Sequence, residues 1–204
     1  MNSNEATLMR SLFSLCGALP ALLIAFPGFA GINALEMTVS TTFLQPTCET
    51  TSTDSSGTVN SVVNIGDIYL PQVVNKTNFR AFYLAFKNCS GLVKNQASVT
   101  LTPRTGCDGL SGSGNGFRNA LNGSDDAAGV SAEVWTTASP GSSDSVQLQC
   151  NNPVKQAVNV TDAHDDNIVK WPLSARIVIA NGNTIADIHT GGFSTQGLFT
   201  VTYE

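Results

Sequence analysis

Charge is scarce in this chain. Only 12% of its residues are Asp, Glu, Lys or Arg, and 10 basic against 15 acidic side chains give a net charge of −5. No basic stripe is available to meet a phosphate backbone, which argues against a nucleic-acid partner. Histidine occurs only twice, and no CxxC or His-rich spacing offers a zinc framework. No Ser or Cys sits in a recognisable nucleophile motif. The glycine-rich GSGNGFRN lacks the strand-to-helix context of a phosphate loop. The cluster DAHDDN, with Asp162, His164, Asp165 and Asp166, reads as a polar loop, and His189 as a strand residue. The expectation is a non-enzyme with no cofactor and no metal. No amphipathic helix and no long apolar run follow residue 30.

Before residue 30 the chain differs. SLFSLCGALPALLIAF follows Arg10 and leads to PGFA, giving a charged start, an apolar middle and a small-x-small end. This is the pattern of a secretory signal peptide, too short and interrupted for a membrane span. Residues 1–30 are assigned to it, with cleavage after Ala30 and Ala34 as the second choice. Met9-Arg10 makes a more usual start than Met1. Cys16 leaves with this segment. Cys48, Cys89, Cys107 and Cys150 remain, an even count that in an exported chain predicts two disulfides with three possible connectivities.

The remainder fits one domain. Short apolar-alternating runs are separated by Gly, Pro and Asn joints. LEMTVSTTFL, VNSVVNIGDIYL, FRAFYLAF, ASVTLTP, VSAEVWTT, SVQLQC, QAVNVT, WPLSARIVIA and GLFTVTYE are all expected to be strands. GLSGSGNGFRNALNGSDDAAG is expected to be a long loop. Many short strands predict an all-β sandwich. Trp135 and Trp171 are either core or sugar-binding residues. GLFTVTYE alternates Phe199, Val201 and Tyr203 with polar or opposite-facing neighbours, and no turn follows it.

Four features resemble the pilin subunits of chaperone–usher fimbriae, across residues 31–204. QPTCETT and FYLAFKNCSG place Cys48 and Cys89 as such pilins place their cysteine pair. VNIGDIYL resembles the family's apolar-x-apolar-Gly strand. Tyr203 is penultimate, and Gly191 is fourteenth from the end. A strand-patterned extension, residues 31–47, precedes the first cysteine; Thr41 stands where the family usually has Gly.

The resemblance implies a Cys48–Cys89 bridge. Cys107 and Cys150 fall outside the family's single-disulfide pattern, and a second bridge is expected there rather than two free thiols. It also implies an immunoglobulin-like sandwich, residues 48–204, that lacks its last strand. Exposing a groove of several hundred Å² would cost on the order of 10 kcal/mol. A periplasmic chaperone would fill that groove and hold the carboxylate of Glu204. At the outer-membrane usher, a neighbouring pilin's extension would replace it, inserting Leu35, Met37, Val39, Thr41 and Phe43. Gly191, Phe199, Val201, Tyr203 and Glu204 would form the accepting side. The implied function is a structural subunit of a cell-surface fimbrium; the alternative is a self-contained secreted sandwich that binds carbohydrate or a host surface.

Overall fold

The structure, a computed structural model, describes residues 39–42 and 44–203. Residues 1–30, read from the sequence as a signal peptide, and Leu35, Met37, Phe43 and Glu204 lie outside the described residues. The chain divides into residues 1–41 and 42–204. Of the first unit only Val39, Ser40 and Thr41 are described; they are exposed and have no regular secondary structure.

The second unit is all-β apart from short helical turns. Its strands are β1 Thr47–Thr53, β2 Arg80–Ser90, β3 Gln96–Pro103, β4 Phe117–Arg118, β5 Val130–Trp135, β6 Gln156–Asn159, β7 Val169–Ile179 and β8 Gly197–Tyr203. They form two antiparallel sheets, ordered β1-β2-β7-β5-β4 and β6-β3-β8. The first, second, seventh and fifth strands lie side by side, and the third pairs with the eighth in the other sheet. This is the arrangement of an immunoglobulin-like sandwich.

Alternation explains the core. On β2, Phe82, Leu84 and Phe86 are all buried. They share the interior with Leu173, Ala175 and Ile177 of β7 and with Ala97, Val99 and Leu101 of β3. Each fully buried large apolar side chain contributes about 1.5–3 kcal/mol. Two disulfides, Cys48–Cys89 and Cys107–Cys150, close loops with sequence separations of 41 and 43.

β1 is not among the expected strands and runs into TSTDSSGT, which reads as a polar loop, while the described residues of LEMTVSTTFL, 39–42 and 44, have no regular secondary structure. The structure departs from the expected strands in three further places. The run VNSVVNIGDIYL has one bridge, Val59 to Thr53, and no ladder. It leads into a helix that the periodicity did not suggest, α1 Leu70–Val74. Pro71 suits a first helical turn, the Gln72 side chain accepts the Tyr69 N–H at 2.8 Å, and Asn75 ends the helix with its N–H on Pro71. Only Val73 of this helix is buried. SVQLQC, the second departure, runs beside β5 without becoming a strand. It makes single contacts, Thr136 N–H to Val146 O and Leu148 N–H to Val134 O. Third, β4 arises inside the segment expected to be loop. The buried Asp108 carboxylate accepts the Gly116 N–H beside it at 2.9 Å, and Cys107 bridges to Phe117.

Candidate functional site

β8 is an edge strand. It pairs along its whole length with β3, and no strand pairs with its other edge among the described residues. Its sequence alternates because its two faces meet different surroundings. Leu198, Thr200 and Thr202 face outward and are exposed. Phe199, Val201 and Tyr203 turn toward the core opposite Leu101, Val99 and Ala97.

Exposure changes sharply across that pairing. Leu101, Val99 and Ala97 are 4%, 1% and 0% exposed, whereas their partners Phe199, Val201 and Tyr203 are only half-buried. The sandwich interior therefore thins over the last strand. Phe199 meets Phe82 with ring centroids 6.4 Å apart and planes tilted by 58°. Phe82 in turn lines a cavity of about 200 Å³ with Val62, Val63, Thr53, Asn60 and Arg80. Val63, Ile65 and Ile68, in the segment without a ladder, also pack half-buried against the core.

The far end of β8 is fastened differently. The Tyr203 hydroxyl lies 2.7 Å from Thr50 Oγ1 and donates to the Cys48 carbonyl at 3.3 Å. It thus ties the last strand of one sheet to β1 of the other, next to the Cys48–Cys89 bridge. Neither Thr50 nor this crossing was legible in the sequence.

Gly191 lies apart from the β8 residues, six positions before Gly197. A side chain there would strike the backbone of Asp125 and Asp126, and Gly192 bridges Asp126 in parallel. Glycine at 191 is therefore needed for a close crossing of two backbones. Trp171 packs against the core. Trp135 joins a buried polar group that the sequence did not reveal. Arg176 Nε donates to Glu133 Oε2 at 2.7 Å, Trp135 Nε1 donates to the same oxygen at 3.0 Å, and the Arg176 guanidinium lies 5.1 Å from the Trp135 ring centre. Among the described residues no group of three or more His, Cys, Asp or Glu could hold a metal, and no helix is long and apolar enough to cross a membrane.

No family model matches the chain. A curated relative, the uncharacterized fimbrial-like protein YadL of Escherichia coli strain K12, is 35% identical over 186 residues, covering 91% of this chain and 92% of that protein. Among solved structures, the P pilus rod subunit PapA aligns with 77% of this chain and 99% of that chain, at 15% identity and a TM-score of 0.48. The chain belongs to the family of the fimbrial-like protein YadL. It is a structural protein rather than an enzyme.

Proposed function

We propose that the chain is a fimbrial subunit that polymerises by donor-strand exchange. Residues 1–30 direct export to the periplasm, residues 31–47 form the donor extension, and residues 48–204 form the accepting domain of a surface fimbrium that serves adhesion. Leu35, Met37, Val39, Thr41 and Phe43 enter the neighbour's groove, and Phe199, Val201 and Tyr203 floor the groove of this subunit. Gly191 belongs to the same accepting half. A periplasmic chaperone occupies the groove first and takes the Glu204 carboxylate, and the outer-membrane usher then passes the subunit to its neighbour.

The observation that carries this reading is the exposure step between β3 and β8. An apolar strand face with a free edge is what an added strand needs: backbone groups supply pairing, and alternate side chains set register. Donation at one end and acceptance at the other is a heterologous contact that does not close, so it builds a filament.

The test is thermal unfolding of the oxidised fragment 48–204 with and without a peptide of residues 35–44. At a hundredfold excess over Kd, a ligand that binds only the folded state adds about 2.7 kcal/mol. For a domain of this size that raises Tm by roughly 5–11 °C. If the fragment stays soluble only when refolded with the peptide, the reading is also supported. A fragment that is stable alone and indifferent to the peptide refutes strand acceptance and leaves the self-contained sandwich.

A further inference from the structure

Asn–Gly occurs three times, at residues 115–116, 122–123 and 181–182. The pair permits a backbone reaction that bulkier neighbours hinder. The glycine nitrogen attacks the Asn side-chain carbonyl carbon, unobstructed because glycine has no Cβ. The attacking nitrogen must give up its proton, so whatever holds that N–H controls the step.

The three glycines are held differently. Gly116 is buried, and its N–H donates to Oδ1 of the buried Asp108 at 2.9 Å. The Gly123 N–H donates to Asp126 Oδ2 at 2.6 Å. Hydrogen bonds to a carboxylate are the strong kind, and a carboxylate beside the nitrogen also opposes an amide anion. The Gly182 N–H has no acceptor among the described residues. Asn181 and Gly182 are both exposed, and a Cβ built on Gly182 would meet nothing within 4 Å. They are the central residues of a turn after β7, closed by Asn183 N–H to Ala180 O at 3.0 Å with Gly182 at φ +83°. The backbone N–H of Asn181 is fixed to Asp108 Oδ2 at 2.9 Å.

We propose that Asn181 is a site of spontaneous self-modification, converting through a succinimide to aspartate and isoaspartate while Asn115 and Asn122 are protected. A bond forms between Gly182 N and Asn181 Cγ, and the Cγ–Nδ2 bond breaks. Ammonia departs carrying the proton from the backbone amide. Water then adds to one of the two imide carbonyls and opens the ring, with no change of oxidation state. Each conversion adds one negative charge to a chain at −5, in a turn that the Asp108 carboxylate already holds. The isoaspartate product also lengthens the main chain there by one methylene.

The experiment incubates the folded, oxidised chain at mildly alkaline pH and maps peptides by mass spectrometry with isoaspartate detection. Asn181 is expected to convert at least about tenfold faster than Asn115 or Asn122, the difference that one charge-assisted hydrogen bond is worth. After reduction and denaturation the three rates converge. Asp126→Asn accelerates conversion at Asn122 in the folded chain and leaves Asn181 unchanged. The proposal is overturned if Asn115 or Asn122 keeps pace with Asn181 in the folded protein. Rates that stay unequal after denaturation, or an Asp126→Asn variant without effect on Asn122, overturn it equally.

Discussion

Val201→Ala separates an accepting groove from an ordinary outer strand. The substitution removes two methyl-sized groups, worth about 0.8 kcal/mol each when fully buried. Val201 is only half-buried beside Val99, so in the fragment 48–204 the loss is about 0.8 kcal/mol. Once a donor strand covers that face the same truncation loses the full amount, about 1.6 kcal/mol. The difference, about 0.8 kcal/mol, appears as a roughly fourfold weaker affinity for the peptide of residues 35–44. Val99→Ala is the control. Val99 is already 1% exposed, so its loss is fully present without the peptide, and peptide affinity stays unchanged. Urea unfolding gives the stabilities, and titration calorimetry gives the affinities. Should Val201→Ala cost the full amount in the bare fragment, or leave peptide affinity untouched, the reasoning from exposure to groove fails.

The other predictions use the same assays. Tyr203→Phe removes the hydroxyl bonded to Thr50 and Cys48, and should cost about 1–2 kcal/mol; Thr50→Val in the same background should then cost less than it does alone. Replacing Cys107 and Cys150 by Ser should cost up to about 4 kcal/mol from loop closure, read by urea unfolding. Stability should also fall in acid. The Asn88 amide, then Lys87, holds the Glu49 carboxyl below its ordinary 4.5; the Ser56 hydroxyl holds Asp54, and the Thr184 hydroxyl holds Asp187, below their ordinary 3.8. Each folded carboxyl binds fewer protons than its unfolded counterpart, so its contribution is complete above the ordinary value and lost as pH falls through the lower folded one. The melting temperature should therefore drop below about pH 4.5, and Asn88→Ala should shrink the Glu49 part of that drop.

Alternation made β2, β3 and β8 legible, because each has one face in the core and one outside. It misled at residues 59–69, where Val63, Ile65 and Ile68 pack against the core without any ladder. Alternation reports that two faces differ; it does not report whether a neighbouring backbone lies alongside. α1 escaped notice because five residues are too few for a helical period. β4 escaped because its pairing follows from Asp108 and a disulfide-tethered loop, which are long-range contacts. Alternation alone could not mark the face of β8 as half-buried; only the resemblance to pilins suggested an open groove there. Phe199, Val201 and Tyr203 have the same pattern as the fully buried faces; only their position at the edge of the sheet sets them apart.

That position raises a stability question which Tyr203 and the first disulfide answer together. Leaving three large apolar side chains half covered forgoes about half of 1.5–3 kcal/mol apiece, roughly 2–4.5 kcal/mol. The Cys48–Cys89 bridge, with a separation of 41 residues, restores about 4 kcal/mol by restricting the unfolded chain. The compensation also lies at the right end of the strand. The bridge fixes β1 to β2, Tyr203 hydrogen-bonds to Thr50 and Cys48 on β1, and the carboxyl end of β8 is thereby held in register with the opposite sheet. Among the described residues the Phe199 end has no hydrogen bond to the opposite sheet; Phe199 meets Phe82, which lines the cavity beside Val63. A strand added to this edge would meet a rigid template at Tyr203 and a more yielding one at Phe199. Hydrogen exchange on the fragment 48–204 should show it: amides near Tyr203 protected without peptide, and those near Phe199 gaining the larger protection when the peptide binds.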